Sequence, residues 1–386
     1  MSSAYRIPFN KPGLAGKEWL YVNQAIADGH SSGDGAFTRK CHAFLEQLLG
    51  SPKALLTTSC THALEMAALL LDIRAGDEVI VPSFTFVSTV NAFVLRGALP
   101  VFVDIRPDTL NLNEELIESA ISPRTRAIVP VHYAGVGCEM DRICQIAAAR
   151  GITVVEDNAH GLFAKYKGRK LGTFGDLASQ SFHETKNAIC GEGGALIINN
   201  QRYVERAEVI REKGTNRGRF FRGEVDKYTW TDIGSSYLPS DLLAAFLFAQ
   251  LEAHREIQAK RKRVWEFYWE RLQPWAREFG VGLPQIPEGC EQPYHMFYIL
   301  LPSLGERTAL INHLKSEGIL SVFHYLPLHL SDMGRKFGGR EGDCPVCENV
   351  SDRLLRLPFY NDLTLDEQAS VVGAIETFGW PKRVAS

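Results

Sequence analysis

Three short stretches carry residue types that could do chemistry together. The apolar run Ile152-Thr-Val-Val155 leads into Glu156-Asp157-Asn158-Ala159-His160-Gly161. An acid therefore stands where a parallel sheet presents the carboxyl ends of its strands, the edge at which open α/β sheets bind ligands. Alone, that carboxylate reads more simply as a cap on the following segment. Lys186 lies in Ser181-Phe-His183-Glu-Thr-Lys186-Asn187, just ahead of Gly191-Glu-Gly-Gly194. A lysine in partly apolar surroundings beside a Gly-rich turn is either a surface residue or a former of Schiff bases, and its position does not decide between them. Third, Leu55-Leu-Thr-Thr58-Ser59-Cys60-Thr61 runs straight into the helical pattern His62-Ala-Leu-Glu-Met-Ala. Small hydroxyl residues at a helix start leave backbone N–H groups and a positive dipole end free for a phosphate, although an ordinary N-cap has the same signature. A phosphate cradle, an acid at a strand end and a lysine on a later loop are together the components of a pyridoxal phosphate site.

The surrounding pattern supplies elements to position them. Strand-like runs at Glu78–Pro82, Val101–Ile105, Ala127–Val131, Ile152–Val155 and Ala195–Ile198 alternate with helical stretches at His62–Leu71, Asn113–Ala120 and Met140–Ala149. Continuous Val/Ile runs predict strands covered on both faces, hence a mostly parallel sheet between helix layers. Ser240 is the expected N-cap of one long helix from Asp241 to about Leu272, apolar at first and charged later. Beyond it, Met296–Leu301, a helix near Arg307–Lys315, the run Ser321–Leu326 and a last helix Leu365–Phe378 predict a small α+β unit. The expected division is 1–255 and 256–386.

Composition removes several alternatives. The chain has 386 residues, 45% of them apolar, and its 42 Lys plus Arg nearly balance 45 Asp plus Glu, so no global field favours nucleic acid or anionic lipid. Apolar runs such as Leu242–Ala249 are too short to cross a bilayer, and Met1–Trp19 lacks a signal pattern, which predicts a cytoplasmic protein. Eight scattered cysteines then read as free thiols. No dinucleotide glycine fingerprint or phosphate-loop Gly-Lys-Ser/Thr appears, which weakens nicotinamide oxidoreductase and nucleotidase readings. Cys344-Pro-Val-Cys347 is a lone CxxC with His324 and His329 upstream; the irregular spacing favours two idle thiols over a metal or redox site. The basic cluster Lys260–Arg263 reads as a solvated helix face.

The ordering of motifs resembles the DegT-type sugar-nucleotide aminotransferases, enzymes of pyridoxal phosphate fold type I. Ser59-Cys-Thr61, Pro82-Ser-Phe-Thr-Phe86, Glu156 to His160 and Ser181 to Gly194 match that family's pattern in order. The likeness continues through Val131-His-Tyr-Ala-Gly135, His295-Met-Phe-Tyr298, Val322 to His329 and Arg353-Leu-Leu-Arg-Leu-Pro358. The resemblance implies an α/β fold with a mostly parallel seven-stranded sheet and a small C-terminal α+β domain. It also implies a homodimer with shared active sites and pyridoxal 5'-phosphate as cofactor. Gly33-Asp-Gly35, Glu212 to Arg217, Phe220 to Gly223 and Val225 to Trp230 resemble one branch. That branch moves an amino group from L-glutamate to C4 of dTDP-4-keto-6-deoxyglucose, giving dTDP-4-amino-4,6-dideoxygalactose for enterobacterial common antigen and related lipopolysaccharide. The alternatives are another dTDP- or UDP-ketosugar, or a non-catalytic binding protein on the same fold. Dehydratases of the family replace the lysine by His, which retention of Lys186 opposes.

Residue by residue, the resemblance makes Lys186 the cofactor-linked base and Asp157 the partner of the pyridinium nitrogen. Phe86 would stack on the ring. Cys60 and Thr61, helped by Ser181, would hold the phosphate. His160, where many members carry Gln, would approach the phenolic oxygen as a pH-sensitive donor. Ser236 replaces an asparagine expected to reach the neighbouring subunit's phosphate, and Leu238 replaces an arginine. His183, Arg217, Arg219, Arg222, Tyr325 and His329 are substrate-binding candidates, with Lys213 and Lys227 as further cations for a carboxylate or diphosphate. No metal is implied.

Overall fold

In a computed structural model, residues 5–380 are described; the outer ends of the two expected units, 1–4 and 381–386, lie outside them. The strands in chain order are β1 (Lys53–Thr57), β2 (Glu78–Pro82), β3 (Leu99–Val103), β4 (Thr125–Ile128) and β5 (Thr153–Asp157), then the small pair β6 (Lys165–Tyr166) and β7 (Arg169–Lys170), and β8 (Leu177–Ser181) and β9 (Gly194–Ile198). Seven of them form one sheet in the order β1-β9-β8-β5-β4-β2-β3. Every pairing from β8 to β3 is parallel, and β9 alone runs against its neighbours. The molecule is thus an α/β protein with a mostly parallel sheet, as expected.

Both faces are covered, which is why the strands read as unbroken apolar runs rather than alternating ones. On one face the helices Cys60–Leu70 and Val87–Val94 bury Leu64, Met66, Ala67 and Phe93 against Val79, Val81, Val155 and Leu196. On the other, Ala36–Leu49 and Asp241–Glu252 bury Phe37, Leu45, Ala245 and Leu247 against Leu56, Ala178 and Ile197. Met140–Arg150 covers Ile80, Ile128 and Val154 on that same side.

The C-terminal region builds a second core. A two-stranded sheet of β11 (Tyr298–Leu300) and β12 (Leu354–Arg356) follows the short β10 (Cys290–Glu291), which joins β6. Trp265, Tyr268, Leu272, Phe297, Leu355, Val371 and Ile375 pack together there. Ile7 belongs to this cluster too, its N–H donating to Gly318 O (3.0 Å) while Ile319 pairs beside it. Ile7, in the N-terminal arm expected with the first unit, therefore also packs into this second core.

Four local features differ from expectation. Strands β1 and β8 were not signalled as runs. The expected single helix from Asp241 breaks at Ala253 into Asp241–Glu252 and His254–Phe279. Ser240 does cap the first of these, its Oγ accepting from Leu243 N (3.4 Å). The basic cluster is not one solvated face: Arg261 is buried and donates to Tyr294 O (2.9 Å) and Asn361 Oδ1 (3.0 Å). Ser321–Leu326 forms no strand, only a bridge from Val322 to Arg356. No helix among the described residues is long and apolar enough to cross a membrane.

Candidate active site

Register brings the predicted residues to one edge of the sheet. Asp157 pairs with Ser179, Ser181 with Gly194, and Gly194 with Thr57, so β5, β8 and β1 end side by side and β9 begins among them. Thr57 leads through Ser59 into the helix Cys60–Leu70. Ser59 is its N-cap, the Oγ accepting from His62 N (3.1 Å), while the Cys60 and Thr61 amides in the first turn are left without intrahelical partners. A Cβ on Gly194 would stand 2.4 Å from Cys60 N, so only glycine lets β9 pass this turn. Thr61 Oγ1 donates to Ser88 Oγ (2.8 Å), and the Ser181 hydroxyl lies at the same edge. Burial pushes the Cys60 thiol up to about 12, which leaves its backbone, rather than its sulfur, as the usable group.

The two adjacent acids have separate duties. Glu156 is buried and accepts from His132 Nε2 (2.9 Å), Gly172 N (2.8 Å), Phe174 N (2.6 Å) and Gly175 N (2.7 Å). Its acceptor sites are filled by the protein. Asp157, on the opposite face, accepts from Thr89 Oγ1 (2.7 Å) and Ala159 N (3.1 Å), and keeps lone pairs for a further donor. Thr89 is in turn joined to Thr85 through their hydroxyls (2.8 Å).

Lys186 sits on the loop after β8. Its neighbour Asn187 is held by donation to Pro293 O (2.6 Å) and Gln258 Oε1 (2.9 Å), and its Oδ1 accepts from His295 Nδ1 (2.8 Å). That anchorage fixes the loop. Lys186 keeps partial access to solvent, yet burial, which outweighs the attraction of Cys60 and Asp157, brings its ammonium down to about 8. His160 lies flat on His295, centroids 4.4 Å apart, with His324 stacked beyond and Tyr133 edge-on. Burial, then the Lys186 and Arg356 charges, hold His160 well below the ordinary histidine range. It is therefore a neutral ring rather than the pH-sensitive donor expected, and its buried Nδ1 has no partner among the described residues.

Phe86, at the start of the helix Val87–Val94, is 57% exposed and turns a bare aromatic face outward near Tyr325. Free amides, an orphaned imidazole nitrogen, a carboxylate with spare capacity, a bare ring and an amine suit the phosphate, phenolic oxygen, ring nitrogen, ring face and aldehyde of pyridoxal phosphate respectively.

Other candidates fall elsewhere. His329 is fully buried with both ring nitrogens engaged, Nδ1 with Ser83 Oγ (2.6 Å) and Nε2 with Glu348 Oε1 (2.9 Å), so the structure does not bring it to the site as a free group. Arg217, Arg219 and Arg222 lie on and beside the surface helix Arg217–Phe221, paired with Glu212, with Glu205 and Glu224, and with Glu208 and Glu224. His183 is half-exposed beside Glu192 (3.6 Å), and Ser236 is exposed. Cys344 and Cys347 are buried free thiols, and the described residues contain no group of three or more metal-ligating side chains. Thr89 was not singled out beforehand; Tyr133, His295, His324 and Arg356 lay in the motifs Val131–Gly135, His295–Tyr298, Val322–His329 and Arg353–Pro358 without a role in the site.

This fold and this strand edge define a pyridoxal phosphate-dependent aminotransferase of α/β type. The comparisons agree: residues 14–376 match the DegT/DnrJ/EryC1/StrS aminotransferase family, and the chain belongs to it. It is 37% identical over 350 residues to the uncharacterized protein MJ1066 of Methanocaldococcus jannaschii, covering 89% of this chain and 90% of that one. It is 30% identical over 377 residues to the spore coat polysaccharide biosynthesis protein SpsC of Bacillus subtilis, covering 96% of each. Spr1654 of Streptococcus pneumoniae, described as a candidate sugar aminotransferase and solved in a PLP form, superposes with a TM-score of 0.89 at 27% identity, covering 97% of this chain and 98% of that one.

Proposed function

We propose that the protein transfers the amino group of L-glutamate to C4 of dTDP-4-keto-6-deoxyglucose, releasing 2-oxoglutarate and dTDP-4-amino-4,6-dideoxygalactose. The reading rests on one observation above all: Asp157 and the turn bearing the free Cys60 and Thr61 amides share one strand edge, and Lys186, on the loop beyond β8, lies near enough to interact with both Asp157 and Cys60. When bound, pyridoxal phosphate supplies an aromatic ring that takes up the electron pair left when the donor's Cα–H bond breaks, and carries the nitrogen between substrates. The residues' own work follows from their placement. Lys186 carries the proton: with an ammonium near 8, its neutral amine takes the proton from the donor's α-carbon, and its ammonium delivers one to the sugar's C4. Asp157, oriented by Thr89, holds a proton on the ring nitrogen. Cys60, Thr61 and Ser181 hold the phosphate, Phe86 covers one ring face, and neutral His160 meets the phenolic oxygen. His183 and Tyr325 would contact the sugar.

The same reading includes a cytoplasmic homodimer in which Ser236 of one chain completes its partner's site, and the division into units 1–255 and 256–386. Exposed Trp19, Leu20, Phe221 and Trp230 support an association surface. The name of SpsC supports a glycan pathway; enterobacterial common antigen or another lipopolysaccharide glycan is the proposed destination.

The test is direct. Purified protein with pyridoxal phosphate should show a visible absorbance band that borohydride abolishes, with the reduced adduct on the Lys186 peptide. L-glutamate and dTDP-4-keto-6-deoxyglucose should then yield 2-oxoglutarate. An adduct on another lysine would overturn the site; turnover with a UDP-ketosugar alone would replace the substrate.

A further inference from the structure

One cation beside this site is left without a counter-ion. Arg356 lies on β12, where alternation sends Leu355 and Leu357 into the second core and turns Leu354 and Arg356 the other way. Leu354 packs there with Tyr133 and Tyr298. Arg356 is paired across the ladder with Tyr298, whose ring lies 5.8 Å from Tyr133, which in turn lies 5.9 Å from His160. The guanidinium sits 4.6 Å over Phe9 and donates from Nη2 to Phe323 O (3.3 Å). Among the described residues its buried Nε has no hydrogen-bond partner and no carboxylate forms an ion pair with it. Its positive charge nevertheless reaches Lys186 and each of His160, His295 and His324.

An arginine with a buried unpaired nitrogen is costly unless an anion completes it. Arg217, Arg219 and Arg222 already have carboxylate partners within the chain, which sets Arg356 apart. Of the anions that could come here, the cofactor phosphate belongs to the turn at Cys60, and a nucleotide diphosphate lies a full hexose ring beyond the reacting carbon. A donor amino acid's α-carboxylate, by contrast, is one bond from the carbon that Lys186 must reach. We propose that Arg356 binds the α-carboxylate of the amino donor, presenting its planar fork from the second unit and thereby orienting the Cα–H bond toward Lys186. The assignment rests on the aminotransferase reading above and deepens it.

The amino-donor half-reaction isolates this contact. Protein loaded with pyridoxal phosphate is titrated with L-glutamate, and loss of the visible band is followed without any sugar. Arg356→Gln should raise the half-saturating L-glutamate concentration by about 10- to 100-fold, the range for a charge-assisted contact. The starting band and the ketosugar dependence of the second half-reaction should stay within about twofold. Arg356→Lys, which keeps the charge but not the fork, should lose less, and it carries the test if the glutamine variant does not fold. Wild type should also discriminate L-glutamate from 4-aminobutyrate, which lacks the α-carboxylate, by a similar factor, and that discrimination should collapse in Arg356→Gln. Unchanged glutamate dependence, persistent discrimination, or a defect confined to the ketosugar would overturn the assignment. A wild-type protein that binds cofactor and reacts with no α-amino acid would instead overturn the functional reading beneath it.

Discussion

Lys186 shows how much of the chemistry is set by one residue's surroundings. In the cofactor-free protein only its neutral amine can attack an aldehyde, and burial places the crossover at about 8 instead of 10.5. The rate of pyridoxal phosphate incorporation, followed by absorbance, should therefore rise with pH and level off above about 8; a midpoint near 10.5 would contradict the burial. Folding lowers this ammonium's pKa, so the unfolded chain binds more protons between about 8 and 10.5 and the penalty on the folded form is largest below 8. Lys186→Met should accordingly stabilise the cofactor-free protein at pH 7 by ~2 kcal/mol, allowing for the side chain's partial access to solvent, and lose that advantage as pH rises through the window. Asp157 depends on its neighbour in another way. Thr89→Val removes the hydroxyl that holds Oδ2, and should lower kcat about tenfold with cofactor binding largely kept. At this scale the sequence displayed Asp157 and Lys186 openly, but it was the family resemblance that chose Asp157 over Glu156; the physical reason, alternation across the sheet, shows only in the structure. Arg356 was hidden by its setting, one charge in a leucine-rich strand.

Elements position these residues through close backbone approach. β9 squeezes past the first turn of Cys60–Leu70 only because Gly194 has no side chain. Gly194→Ala should weaken pyridoxal phosphate retention and lower the melting temperature, because the added methyl meets backbone atoms that cannot rotate away. The same crowding explains why β8 was not legible as a strand. Leu177-Ala-Ser-Gln-Ser181 is fully buried but made of small and polar residues, so it has neither the apolar run nor the branched side chains that signal a strand. The break at Ala253 was invisible for the opposite reason. Alanine favours helix, and the interruption is made by tertiary contact: the His254 ring nitrogen Nδ1 donates to Leu251 O (2.8 Å) while the ring stacks on Phe163. By contrast, the terminal helix Leu365–Thr377 begins at a readable capping box, in which Thr364 and Glu367 bond reciprocally. Thr364→Ala should cost about 1 kcal/mol in denaturant unfolding and leave turnover unchanged.

On the scale of the whole molecule, the proposed sharing of sites makes a prediction that single chains cannot. Lys186→Ala and Ser236→Arg proteins should each be inactive, and mixing them under exchange conditions should restore activity. Random pairing yields hybrids with one intact site in two, so recovery should approach about a quarter of wild type. No recovery would place both residues on one chain's site. The near balance of charge gave no hint of an anionic ligand, because amides at one helix end and a single unpaired arginine act over short range. The N-terminal segment, finally, touches both halves of the machine: Ile7 joins the strand-like segment at Ile319, Phe9 lies under Arg356, and Asn10 Nδ2 donates to Glu184 O (3.3 Å) beside Lys186. Those partners are made roughly 300 residues later during synthesis in the case of Ile319. This segment thus leaves the ribosome well before the partner it must reach, and the loop that bears the proposed reactive amine is not fully braced until the stretch around Ile319 has also emerged.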